Sequence, residues 1–154
     1  MAQQDVVTGS DFQIQSCRLA LYALGNANYG LEGIYKILYK NATGKAKVVE
    51  FLGSALHDLR DFPLNARREA GHQLDQVQRG GKPDDWKPMR TIGTGVKEIR
   101  IKDASGAFRV IYLAKFANAI YVLHCFQKKT SKTSKADLEL AAKRYRELLK
   151  ERTQ

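Results

Sequence analysis
Three consecutive runs in the C-terminal half of the chain alternate buried-type and solvated-type residues with the period of β-strands. In Val96–Asp103, Ile99 and Ile101 alternate with Glu98, Arg100 and Lys102, which predicts a strand covered on one face. In Ala107–Lys115, Phe108, Val110 and Tyr112 alternate with Arg109, Ile111 and Leu113. In Ala119–Phe126, Ile120, Val122, His124 and Phe126 alternate with Tyr121, Leu123 and Cys125. Short turns at Asp103-Ala104-Ser105-Gly106 and Phe116-Ala117-Asn118 make adjacent runs antiparallel neighbours. The second and third runs are apolar on both faces, as central strands are.

Helical spacing appears on either side of these runs. Ser134 is a candidate N-cap, with Asp137 and Glu139 in the first turns of the helix it opens. Leu138, Ala141, Ala142, Tyr145, Leu148 and Leu149 form its apolar stripe. Upstream, Val48, Val49 and Phe51 predict a short strand within Lys45–Phe51, and Leu52, Leu56 and Leu59 fall on one stripe of a short helix. Asp61-Phe62-Pro63 breaks that helix and begins another, since proline suits a first turn. The second helix is expected from Pro63 to about Arg79, with Leu64, Ala70, Leu74 and Val77 on its inner face and a positive-φ exit at Gly80-Gly81. The two helices form a hairpin able to cover one side of a sheet. Residues 81–95, with Pro83, Pro88, Gly93 and Gly95, read as an irregular link. Trp86 within it is either a core anchor, the more economical reading, or a base-stacking residue.

Residues 1–44 are less informative. Ile14, Cys17, Leu21 and Leu24 have helix-compatible spacing within Phe12–Leu24, as do Leu31, Ile34, Tyr35 and Leu38. Tyr22, Tyr29, Tyr35 and Tyr39 read as packing residues or as a stacking platform for bases. The expected class is therefore α+β: a small antiparallel sheet with an N-terminal helical hairpin and a C-terminal helix, in a domain over residues 45–154 preceded by an extension over 1–44.

Length and composition narrow the function. At 154 residues, with 44% hydrophobic and 27% charged residues, the chain can bury a core without staples and has globular rather than disordered character. No apolar run reaches the roughly 18–20 residues of a membrane span. The N-terminus lacks the basic n-region of a secretory signal, so the expected compartment is the cytoplasm and no membrane partner is implied. Cys17 and Cys125 form no motif, and the histidines and cysteines give no zinc signature. No metal site or cofactor is expected.

Charge changes the picture most. The chain carries 26 Lys+Arg against 16 Asp+Glu, a formal +10. Between residues 96 and 135 stand Lys97, Arg100, Lys102, Arg109, Lys115, Lys128, Lys129, Lys132 and Lys135, opposed only by Glu98 and Asp103. A field concentrated in this way suits a polyanion, nucleic acid first. Lys128, Lys129, Lys132 and Lys135, interleaved with hydroxyls between a strand and a helix, are candidates for phosphate binding, with Arg100, Lys97 and Lys102 on the adjacent strand. The bland alternative is a solvated loop and a basic surface.

Arg109 stands inside an apolar strand and must reach solvent, a carboxylate or a ligand. If the polyanion is RNA and is cut, a 2′-hydroxyl attacks the adjacent phosphate. The site must then take a proton, stabilise added negative charge and protonate the leaving 5′-oxygen. Arg109 suits charge stabilisation because guanidinium matches phosphate bidentately. Lys128 or Lys129 is a candidate to assist and to supply the proton. His124 is the only imidazole nearby, the side-chain type that exchanges protons near neutral pH, although a lone histidine on an apolar strand is more often a core residue. The sequence displays no Glu–His or His–His pair.

Six stretches in order carry a family resemblance: Leu59-Arg60-Asp61-Phe62-Pro63, Arg67-Arg68-Glu69-Ala70-Gly71, Trp86-Lys87-Pro88-Met89, Gly95–Ile101, Phe108-Arg109-Val110-Ile111-Tyr112 and Val122–Thr130. Over about residues 45–149 the chain resembles the phage-derived, HigB-like branch of the RelE/ParE toxin superfamily. That resemblance implies the toxin of a type II toxin–antitoxin pair: an mRNA endoribonuclease working on the ribosome without a metal, inhibiting translation, and neutralised by a helix-turn-helix, DNA-binding antitoxin. It implies that Arg109 contacts the scissile phosphate, and that Lys128 and Lys129 fall where a further basic active-site residue follows the last strand. The chain departs from the pattern in having no tyrosine between Ser134 and Leu140, which leaves the proton-transfer groups open. Residues 1–44 lie outside the resemblance, as a true extension or as an over-extended reading frame with a start nearer Lys45. Two competing readings stand beside the toxin nuclease: a ParE-like DNA gyrase inhibitor, and a non-catalytic nucleic-acid-binding module.

Overall fold
A computed structural model of the chain describes residues 35–37 and 47–153. Their elements run β1 (Tyr35–Ile37), β2 (Val48–Phe51), α1 (Ala55–Arg60), α2 (Leu64–Gln78), β3 (Trp86–Pro88), β4 (Val96–Asp103), β5 (Gly106–Leu113), β6 (Ala119–Lys128) and α3 (Lys135–Thr153). The strands form one sheet in the order β1-β2-β6-β5-β4-β3. Every pairing is antiparallel except β2 with β6, which is parallel. The architecture is α+β, as expected, and the hairpin of α1 and α2 precedes the three long strands.

The sheet separates two apolar layers, which explains why β5 and β6 are apolar on both faces. On one face Ile99, Ile101, Phe108, Val110, Tyr112, Ile120 and Val122 pack against Leu56, Leu59, Ala66, Ala70 and Leu74 of α1 and α2. On the other, Val96, Ile111, Leu113, Tyr121 and Leu123 pack against Ala141, Tyr145 and Leu148 of α3. A β-bulge switches the register within β6. Ile111 faces His124 while Tyr112 faces Val122, so Leu123 is the extra residue and the strand bends there. Since β2 reaches only as far as Val122, the outer edge of β6 beyond the bulge has no neighbouring strand among the described residues, and α1 packs against β6.

Several expectations need correction. The Leu31–Leu38 patch is not helical at Tyr35–Ile37: those residues pair with β2 in the register Tyr35↔Phe51. So short an apolar patch fits either period, and the free edge of β2 selects the strand. The link over 81–95 contains a strand, β3, paired with β4 through Trp86↔Ile99; Pro88 is tolerated because it ends an edge strand. Trp86 is half-buried on that edge with Lys97 Nζ 4.6 Å from its ring centroid, so it is not a core anchor. Leu64, expected on the inner face of α2, is 54% exposed, because it opens the helix's first turn beyond the reach of the sheet. The Phe12–Leu24 segment and the side chains of Tyr22, Tyr29, Tyr35 and Tyr39 lie outside the described residues.

Two contacts seat α3. Tyr145 donates a hydrogen bond to the Thr94 carbonyl at 3.3 Å, and its ring lies so close to Gly93 that any β-carbon there would overlap it. Arg152, near the helix end, bonds the Tyr121 hydroxyl and lies 4.2 Å from the Phe116 ring centroid. No helix among the described residues is long and apolar enough to cross a membrane.

Candidate nucleic-acid interface
Strand register places the candidate residues. On the α3 side of the sheet, three cross-strand rows follow one another: Lys87–Glu98–Ile111–His124, Arg100–Arg109–Phe126 and Lys102–Ala107–Lys128. The helix covers the neighbouring half of this face, over Ile111, Leu113 and Leu123. It leaves the half bearing Arg100, Arg109, Lys102 and Lys128 beyond its N-terminus. A period-2 alternation in β4, shifted against that of β5 and β6, thus collects cations from three strands on one patch.

A groove of about 680 Å³ opens on this side. One wall is the end of β3 and the turn after it, from Lys87 to Thr91, and the other is Lys128, Ser131, Lys132, Thr133 and Leu138. The lining holds Lys87, Arg90, Lys128 and Lys132 and no acidic residue. Its second wall is shaped by internal hydrogen bonds. Lys128 Nζ donates to the Ser131 carbonyl at 2.6 Å and Thr130 Oγ1 to the Lys132 carbonyl at 2.6 Å. Ser134 accepts from the Asp137 amide at 3.1 Å, the N-cap expected for α3.

Arg109 is 7% exposed and donates from Nη1 to the Phe108 carbonyl at 2.8 Å. Its Nε lies 3.4 Å from Glu98 Oε1. The same oxygen is 3.7 Å from Arg100 Nε and 3.7 Å from Lys87 Nζ. Arg100 also reaches Asp85 at 3.7 Å. Of the alternatives open to an arginine in an apolar strand, this one reaches a carboxylate.

Not every sequence candidate joins the patch. Arg100, Arg109, Lys102 and Lys128 share it, and Lys132 lines the groove. Lys129 is exposed in the adjoining loop. Lys97 stands on the opposite face, over Trp86, because its position in β4 has the other parity. Lys135 pairs with Glu139 at 3.6 Å along α3. His124 is 6% exposed and its Nε2 lies 2.8 Å from Asp137 Oδ1. Its ring stacks on Phe126 with centroids 5.1 Å apart, and Asp58 stands 3.9 Å from Nδ1. It lies outside the groove lining, as Arg100, Lys102 and Arg109 do, and its contacts tie β6 to α1 and α3.

Four participants escaped the sequence reading. Glu98 reads as a solvated position in an alternating strand, yet it is 1% exposed. The signal lay in its neighbour: it pairs with Ile111, in a run whose two faces are both apolar and therefore both covered. Lys87 and Arg90 were hidden in a stretch read as irregular. Asp137, read as a helix-start residue, is also the partner of His124.

No curated protein matches this chain significantly. Residues 57–146, more than half of the chain and the span that carries most of α1, all of α2, strands β3 to β6 and most of α3, match the family described as phage-derived protein Gp49-like (DUF891). The chain belongs to the Gp49-like family of phage-derived proteins.

Proposed function
We propose that this protein is the toxin of a type II toxin–antitoxin pair, of RelE/HigB-like type, and that it cleaves mRNA on the ribosome in the cytoplasm. The observation that carries this reading is the half-face beyond α3, where Arg100, Lys102 and Lys128 converge around the buried Arg109 from three strands, beside a groove lined by four cations and no acid. Such a surface suits a single RNA strand, whose phosphates it holds without reading sequence. The resemblance over residues 45–149 and membership of a phage-derived family point the same way.

In the proposed reaction, a ribose 2′-oxygen forms a bond to the adjacent phosphorus and the bond to the 5′-oxygen breaks. The products are a 2′,3′-cyclic phosphate and a 5′-hydroxyl. Arg109, with Arg100 beside it, stabilises the charge that builds on the phosphoryl oxygens. Lys128 or Lys129, at the end of β6, gives the departing 5′-oxygen its proton. The groove lining supplies no imidazole and no carboxylate to take the first proton, which fits a site completed by ribosomal RNA or by the message held in the decoding centre. The proposed partners are mRNA, the ribosome and a DNA-binding antitoxin.

The test is a brief induction of the chain in cells, followed by mapping of mRNA 5′ ends. New ends in phase with codons, absent for Arg109→Ala, are expected. Growth arrest without new ends, accompanied by DNA damage, would replace the nuclease with a gyrase inhibitor.

A further inference from the structure
Glu98 is an acidic side chain in the middle of a site built for phosphate. Its Oε1 is approached by Arg109 at 3.4 Å, Arg100 at 3.7 Å and Lys87 at 3.7 Å, from β5, β4 and β3 in turn. These distances are longer than good hydrogen bonds, so the carboxylate gathers the cations electrostatically without locking any of them. Its Oε2 is buried with no hydrogen-bond partner. At 1% exposure, the group is out of reach of a substrate hydroxyl, so any influence on the reaction must pass through its cationic neighbours. Packing does not ask for a carboxylate here, since its cross-strand neighbour Ile111 is 0% exposed and an apolar side chain would suit that environment better than an ion.

We infer that Glu98 is a positioning residue: it draws Lys87, Arg100 and Arg109 to one point beneath the groove and restrains their affinity for polyanions in general. The inference rests on the endoribonuclease reading and specifies how that site is organised. Without the carboxylate the cations repel one another, spread apart and bind any RNA more tightly, but no longer converge on one phosphate. Affinity and cleavage then move in opposite directions, which a merely structural role does not produce.

The experiment uses the full chain, a labelled single-stranded RNA oligonucleotide titrated at several salt concentrations, and cleavage of a defined message in a reconstituted translation system. Glu98→Gln keeps the shape and removes the charge. It is expected to bind the oligonucleotide several-fold more tightly at low salt, with a log–log salt slope steeper by about 0.7, the increment for one more neutralised phosphate. Its cleavage is expected to fall about tenfold or more, the scale of a misplaced catalytic group. Glu98→Asp keeps the charge, so it is expected to return affinity and slope to wild-type values and to recover part of the cleavage. Glu98→Gln cleaving like wild type would overturn the inference, and so would affinity and cleavage falling together in both variants. If Glu98→Gln does not fold, Glu98→Asp decides: wild-type affinity with reduced cleavage upholds the inference, whereas wild-type cleavage, or loss of both properties, overturns it. Failure of the nuclease reading is distinguishable, because wild type would then leave the message intact while the affinity and salt-slope comparison still reads Glu98.

Discussion
Arg109 and Arg144 are both buried, at 7% and 9% exposure, and they are held in opposite ways. Arg144, on α3, donates to the Leu123 carbonyl at 2.8 Å and to Ser54 Oγ at 2.8 Å. Ser54 in turn donates to Asp58 at 2.8 Å. Leu123 is the bulged residue, and its carbonyl takes this hydrogen bond from Arg144. Burial lowers the pKa of this guanidinium, against the opposing pull of Asp58. Arg109 has a single internal hydrogen bond, to the carbonyl of its own neighbour, and an ion pair at 3.4 Å; its Nε is buried with no hydrogen bond. A guanidinium with fixed partners on β6 and at the start of α1 is a fastener. One with donor capacity to spare is available for the phosphate contact proposed above.

The largest effect expected from this contrast is on cleavage. Arg109→Ala should lower message cleavage by about 10²-fold or more, the range for loss of one charge-stabilising donor. Its urea-unfolding stability should fall by less than about 2 kcal/mol, since Glu98 keeps Lys87 and Arg100. Arg144→Met should reverse the pattern. It keeps an apolar stem but leaves the Leu123 carbonyl unsatisfied, at a cost of about 2–3 kcal/mol in urea unfolding, while cleavage per folded molecule stays within about threefold because the groove is untouched. Equal stability losses in the two variants would erase the distinction.

Gly93→Ala comes next. A β-carbon there overlaps the Tyr145 ring, and the overpacking should lower the melting midpoint through a loss of about 1–3 kcal/mol. A second substitution, Tyr145→Leu, should recover part of that loss. The pH dependence of stability should follow burial on the α1 and α2 side of the sheet. Burial pushes Tyr112 from 10.0 up to about 12 and raises the Cys125 thiol above its ordinary 9.0. The unfolded chain therefore releases these protons first. Their contribution to stability is fully present below about pH 9 and is lost as pH rises toward the folded values. Urea midpoints measured from pH 7.5 to 10.5 should fall with pH, and Cys125→Ala should flatten the part of the decline that begins near pH 9.

The smallest effects separate the lysines. Lys132→Ala, in the groove wall, should reduce the salt slope of RNA binding by about 0.7. Lys97→Ala and Lys135→Ala should leave it nearly unchanged, since one cation sits over Trp86 on the other face and the other pairs with Glu139 along its own helix.

Much of this organisation was legible in the sequence. The three long strands, the helical hairpin and α3 each repeat a period that fixes their type, the stripe of α3 also fixes its facing, and Arg109 announced itself as a charge in an apolar run. What escaped depended on pairing. Nothing local to Trp86-Lys87-Pro88 marks a strand until β4 offers it an edge. Nothing local to Glu98 marks burial until Ile111 is set beside it. Lys97 and Arg100 look equivalent as cations on one strand, but their parity sends them to opposite faces, and only register shows which face carries Arg109. The tie between His124 and Asp137 depends on a bulge that no alternation pattern announces.

The most direct test mixes purified protein with a defined message, with and without programmed ribosomes, and compares wild type with Arg109→Ala. Cleavage that requires the ribosome and is lost in the variant is the predicted result. Equal cutting of naked RNA, or an Arg109→Ala variant that cuts like wild type, would contradict the assignment of the open half-face as a ribosome-completed cleavage site.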